Sequence, residues 1–433
     1  MADRRLTSAP SWGDAPTRRR ERPEGGAPPA GAAQAGDRAH RLPWWVAALV
    51  IFAASRVVTT ALMIWVQSQA TPQSRAGADP SLLDLASAWD GQWYWFIAQN
   101  GYPSVLPLTA SGAVDTNQWA FLPVYPYLAK VLTFGVLDWR IAALAISVAA
   151  GFGAAVVLAA LLLPRIGRSR ALFAVALLSC SPLAFMFQTT YAESLGLLLL
   201  LGALLLVDRG RYLAAVPVAL VLAFTRPGVL ALALAVGLVL VLRFVQARRG
   251  GPPLPPRALA AGVLLAGVAA VAGFAWSGIA ALATGRGDAY FATEGAWRAL
   301  WMPDSSITFF TSWWFAADFW AERALGASGA VPGAVLLLVV VIGGFVALLL
   351  SPPVRRLGPT TRLWAASYAL YLLAVFFPQS SVFRLLMPMA PLVGAITPRS
   401  VPARAAVLIV SVALQGLWLW VCYGPFQLYW TVP

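Results

Sequence analysis

One histidine, one lysine and two cysteines occur in the 433-residue chain, and only 11% of its residues are charged. His40 lies in the N-terminal stretch, while Cys180 and Cys422 stand alone inside apolar runs. These scarcities exclude zinc chemistry, a histidine-based nucleophilic triad and a disulfide framework. Acids are also never spaced as a DxD-like cluster, so no metal and no other cofactor is expected. What the chain has instead is apolar residues, 60% of the total, with a mean hydropathy of +0.73. A soluble domain carries about a quarter charged residues, so this composition belongs to an integral membrane protein. The formal net charge of +14 comes almost entirely from arginines placed between apolar runs. Membrane topology accounts for that pattern, and no nucleic-acid partner is expected.

Residues 1–42 are rich in Arg, Pro, Gly and Ala and lack apolar periodicity. They cannot bury enough surface to offset the entropy of ordering, which predicts a disordered cytoplasmic tail. Residues 43–433 read as a single transmembrane domain. Its apolar runs are of the roughly 17–25 residues that span a bilayer as a helix, whereas barrel strands would be about ten residues with alternation. Eleven spans are expected, near 44–66, 140–163, 171–188, 191–207, 212–224, 227–243, 257–284, 331–350, 362–377, 384–398 and 404–423. With the tail inside, Arg165, Arg168 and Arg170, then Arg209 and Arg211, Arg243 to Arg257, Arg355 to Arg362, and Arg399 and Arg404 all fall on the inner side. That places the C-terminus outside, with two long outer loops at about 67–139 and 285–330. The protein is expected to be multi-pass in the cell membrane, with its site on the extracytoplasmic side. The runs 212–224 and 227–243 meet at Thr225-Arg226-Pro227-Gly228 and read as half-helices, a break tolerated only against protein or a wet cavity. The aromatic second loop suits a helix lying in the interface.

The first outer loop contains WDGQWYWFIAQNGYP and NQWAFLPVYP, too polar for lipid and too aromatic for an ordinary solvated loop. Asp90 would share a helical face with Trp93 and Tyr94. Two roles are open to it: a general base partly shielded by indole rings, or an N-cap of a helix starting at Gly91. Glu193 likewise reads either as part of a Thr190-x-x-Glu193 capping box or as a pocket residue. Arg226 and Arg384 lie beside segments at membrane depth, where a charge needs a partner or a ligand. A guanidinium fork suits a phosphate. Arg384 could instead snorkel at an outer helix end. Arg226, read as near the midplane or inner side, suits an ion pair. Tyr125 and Lys130 could assist at a headgroup, and the tryptophans serve as interfacial anchors or sugar platforms.

The order WDGQWYWFIAQNGYP (89–103), AFLPVYP (120–126), TYAESL (190–195), TRPG (225–228) and FRLLMPMAPL (383–392) resembles the PIG-V type mannosyltransferases and their bacterial relatives. The resemblance covers most of the chain beyond the tail. It implies a GT-C fold and an inverting transfer of mannose from a polyprenyl-phosphate donor to a glycolipid or glycan acceptor, with Asp90 as base. Gly91-Gln92 follow that aspartate where some relatives carry a histidine two residues on, so an assisting imidazole is missing. Readings from other classes are a membrane transporter or lipid flippase without glycosyl transfer, and a non-enzymatic scaffold.

Overall fold

The computed structural model describes residues 42–300 and 308–425, and their regular structure is helical apart from one isolated bridge between Leu108 and Val114. The expected disordered tail lies, save for Leu42, outside the described residues. The chain begins with α1 (Trp44–Ser68), α2 (Leu82–Ala86), α3 (Asp90–Asn100) and α4 (Val124–Leu132). It continues through α5 (Trp139–Ile166), α6 (Arg168–Ser179), α7 (Glu193–Asp208), α8 (Tyr212–Ala223), α9 (Val229–Arg248) and α10 (Pro256–Thr284). The second loop region forms α11 (Ala289–Ala299) and α12 (Ser312–Leu325). After it come α13 (Ala330–Leu350), α14 (Pro352–Arg355), α15 (Pro359–Val375), α16 (Val382–Leu385) and α17 (Val401–Tyr423).

Among the described residues, six helical stretches are long and apolar enough to cross a membrane: α1, α5, α9, α10, Ala327–Leu350 and α17. The protein is therefore all-helical with the segments of a membrane protein. The stretch Ala327–Leu350 is the most apolar and only 6% of its window is buried by the rest of the chain, an arrangement suited to lipid. Other expected runs are shorter helices, with 12 residues in α6 and in α8, 16 in α7 and 17 in α15. The run at 384–398 is not one α-helix but α16 followed by a 3-10 helix, Met387–Ala395. Pro388 and Pro391 remove backbone donors there and clash with a continuing α-turn.

α5 is the packing centre. Ala142, Ala143, Ala150, Gly151, Ala154, Ala155 and Ala159 line its buried side and let α1, α6 and α7 approach closely. A Cβ at Gly151 would run into the Phe52 ring and lie 3.1 Å from Phe187, so α1 is seated against a position only glycine can fill. Arg56 of α1 also explains why the run 171–188 stops early. Its Nη2 donates to Ser179 O at 2.8 Å, and its Nη1 to Ala184 O at 2.6 Å and Gln188 Oε1 at 3.3 Å. Carbonyls freed where α6 ends and a 3-10 turn begins are thus satisfied by a buried side chain. The guanidinium lies against the Phe52 and Phe187 rings, 4.7 and 5.4 Å from its carbon.

Several of the residues expected on the inner side meet at one end of the bundle. Arg165 pairs with Asp208 at 2.9 Å, Thr360 donates to the same carboxylate at 2.9 Å, and Arg404 donates to Ser169 at 2.9 Å. The break at 224–228 is real: α8 ends at Ala223, α9 starts at Val229, and Gly228 adopts φ 116°, a conformation glycine permits. Val124 N donates to Phe224 O at 3.0 Å, so the break lies beside the loop region 67–139.

Candidate functional site

Ahead of α3 the chain makes a strained turn. Trp89 has φ 58° and ψ −123°, a non-glycine conformation that costs on the order of 1–3 kcal/mol and needs support. The indole supplies it, donating to Cys422 O at 3.2 Å while the Arg75 guanidinium lies 4.2 Å from the ring centre. This turn sets Asp90 as the first residue of α3, one turn before Trp93 and Tyr94. Close packing holds α3 in place: a Cβ at Gly91 would overlap the Thr190 hydroxyl, and Tyr191 OH donates to Ala88 O at 3.0 Å.

Asp90 is not an N-cap. Trp89 occupies that position without a side-chain capping bond, and Asp90 Oδ2 instead accepts from Arg384 Nη1 at 2.5 Å. The Thr190–Glu193 capping box is also absent. α7 starts at Glu193 itself, Thr190 faces Gly91, and the Glu193 carboxylate turns to Arg226 Nη2 at 3.2 Å and Arg384 Nε at 3.3 Å. Neither Glu193 oxygen receives a well-aligned hydrogen bond, although the residue is only 5% exposed. Arg384 does not snorkel: it is 9% exposed, spans both carboxylates, and sits 5.6 Å above the Tyr191 ring. Arg226 stands at the same end of the bundle as Asp90, because the short α8 brings the 224–228 break up to the first loop. Gly196, one turn past Glu193, makes room for it, since a Cβ there would come within 2.6 Å of Arg226 Cγ.

These four charged residues line a cavity of about 630 Å³, together with Trp93 and Tyr94. Tyr125 and Lys130 do not belong to it. Tyr125 is fully buried with its hydroxyl 2.8 Å from both Ala143 O and Ser147 Oγ, a structural tie between α4 and α5, and Lys130 is exposed in the last turn of α4.

The opposite wall comes from the second loop. α11 places Tyr290, Glu294, Trp297 and Arg298 on the cavity at helical spacing. Burial pushes the Glu294 carboxyl up to about 7, against the opposing pull of the Tyr290 hydroxyl and Arg298. Among the described residues, the lining holds four arginines (75, 226, 298, 384) and three carboxylates (90, 193, 294). An anionic group is therefore compatible with the cavity by charge. None of the α11 residues was singled out from sequence. Their signal was the recurrence Tyr290, Glu294, Trp297 and Arg298, hidden beside the tryptophan-rich stretch read as an interfacial helix.

The chemistry available is a carboxylate held in place by a guanidinium, a second carboxylate joining two arginines, and aromatic walls. Compared with protein-family models and with curated proteins, the chain matches none.

Proposed function

We propose that the protein is an inverting, GT-C-like membrane glycosyltransferase with eleven spans, its N-terminus inside and its cavity open to the extracytoplasmic side. It moves a sugar, mannose by the resemblance to PIG-V type enzymes, from a polyprenyl-phosphate donor to a hydroxyl of a glycolipid or glycan. The observation that carries this reading is the presence of Asp90 and Trp93 on one cavity wall, with Asp90 joined at 2.5 Å to an arginine that also reaches Glu193.

In the proposed reaction, the acceptor hydroxyl passes its proton to Asp90 as its oxygen forms a bond to C1 of the donor sugar. The bond from C1 to the phosphate oxygen breaks on the opposite face, and its electron pair stays with the leaving polyprenyl phosphate. Arg384 stabilises that added negative charge, and Glu193 and Arg226 keep Arg384 oriented. A positioned general base contributes about 100- to 10,000-fold. Asp90→Asn should therefore cut transfer from polyprenyl-phosphate mannose by at least about 100-fold in purified protein. Near wild-type turnover by that variant would end the assignment.

The broken helix beside the cavity is also a feature of transporters. Movement of a labelled lipid across vesicles, undiminished in Asp90→Asn, would favour a transporter or lipid flippase.

A further inference from the structure

Beyond the Asp90 cluster, the cavity has a second built wall whose residues have no part in the chemistry above. Trp93 and Phe121 stack nearly parallel, with centroids 5.8 Å apart and an interplanar angle of 9°. Trp297 closes on both edge-on, at 5.0 Å from Trp93 and 5.7 Å from Phe121. The three rings line the same cavity as the α11 carboxylate.

This wall is held firmly. Asn117 of the first loop and Thr293 of α11 bond each other through buried side chains at 2.9 and 3.2 Å. The Trp297 indole donates to Asn117 O at 3.4 Å, and Arg298 donates to Val375 O at 3.1 Å. A membrane-surface anchor would need its indoles at the headgroups. Here Trp93 and Trp297 are packed against each other across two loops and turned onto the cavity. From α15 a column of Trp364, Tyr368 and Tyr371 rises along the same cavity, with rings stacked at 5.1 and 6.0 Å, bringing Tyr371 close to Glu294.

Apolar ring faces beside a carboxylate and phenol hydroxyls form a surface for a ligand with an apolar face and a rim of hydroxyls. Lipid tails would not use the carboxylate. We propose that Trp93, Trp297, Phe121 and Glu294 bind a pyranose ring, the sugar moiety of the acceptor, with Glu294 accepting from vicinal hydroxyls. The acceptor role rests on the glycosyltransferase reading; the binding of a pyranoside does not. An ionised carboxylate makes the stronger, charge-assisted bonds to hydroxyls. Affinity should therefore rise as pH passes upward through about 7, where Glu294 ionises. Among the described residues, the titratable and charged groups facing Glu294 are Tyr290 and Arg298 on α11 and Tyr371 on α15. The Tyr290 phenol stays protonated over that range, because burial raises it.

The test uses the full chain in lipid nanodiscs and hexyl α-mannopyranoside as probe, with binding followed by saturation-transfer NMR. Wild type should bind, with affinity rising between pH 6 and 8. Glu294→Gln should weaken binding about 10-fold at pH 8, equal to about 1.4 kcal/mol, and remove the pH dependence. Trp297→Ala should weaken it similarly, and Trp297→Phe should restore most of it. Absence of probe binding by wild type, or binding unchanged in both Glu294→Gln and Trp297→Ala, would overturn the proposal. If either variant misfolds, the wild-type pH profile decides, a flat profile counting against Glu294. Probe binding with no sugar transfer would leave this site standing while removing the enzymatic reading. Transfer with binding indifferent to both substitutions would do the reverse.

Discussion

Arg384→Gln isolates the interaction on which the candidate site is built. The guanidinium lies 2.5 Å from Asp90 and 3.3 Å from Glu193, and the three side chains are 10%, 19% and 3% exposed. At an effective dielectric constant of about 20, unit charges about 4 Å apart attract by about 4 kcal/mol. Two such attractions are offset by several kcal/mol of desolvation, so the net worth of the cluster is modest while it is intact. Removing the cation changes the balance, because both carboxylates stay behind with Arg226 as the remaining close cation. A broken buried pair costs about 3–5 kcal/mol, and that is the loss expected for Arg384→Gln. Equilibrium unfolding in mixed micelles, followed by tryptophan fluorescence, measures it. The double variant Asp90→Asn/Arg384→Gln should recover about 1–3 kcal/mol relative to additivity. A loss below about 1 kcal/mol in the single variant, with strict additivity in the double, would refute the shared-arginine cluster.

Further outcomes follow from packing. Gly91→Ala puts a methyl group into the Thr190 hydroxyl and should shift α3, lowering transfer by up to about 100-fold, as small misplacements of reacting groups do. Thr190→Ala removes the obstructing oxygen and leaves Tyr191 Cε1 at 3.6 Å and Thr190 Cβ at 3.7 Å from the new atom, ordinary contact distances, so the double variant should recover activity. Loss that persists in the double variant would show that Gly91 is needed for another reason. Arg56→Met should lower the thermal midpoint by leaving the Ser179 and Ala184 carbonyls without their donor, at about 1–3 kcal/mol each. Because Arg56 does not line the cavity, turnover per folded molecule should stay unchanged, and a turnover defect without loss of stability would contradict its structural role.

The long apolar helices could be read from the sequence because length and hydropathy are local properties, and Asp90, Trp93 and Tyr94 share a surface simply through helical spacing. Pairings between distant segments could not. Asp90 looked like a cap and Glu193 like half of a capping box, because local spacing shows neither Trp89's strained turn nor Arg384. Arg56 was not singled out from sequence either, since its carbonyl partners lie 123 and 128 residues away. Glu294 escaped for the same reason, since what carries α11 to the site is a bond between Asn117 and Thr293, 176 positions apart. Tyr125 and Lys130 lie near the motifs in sequence and outside the cavity in space.

The Asp90–Arg384 pair also bears on how the protein is made, since its members are 294 positions apart. At a synthesis rate of about 5–20 residues per second, Asp90 emerges about 15–60 seconds before its counter-charge. The nascent chain therefore carries Asp90 without its counter-charge, and Glu193 with Arg226 as its one partner, until the segment holding Arg384 is made. A chain that stops short of Arg384 leaves that defect permanently exposed, a mark by which membrane quality control can recognise an unfinished product.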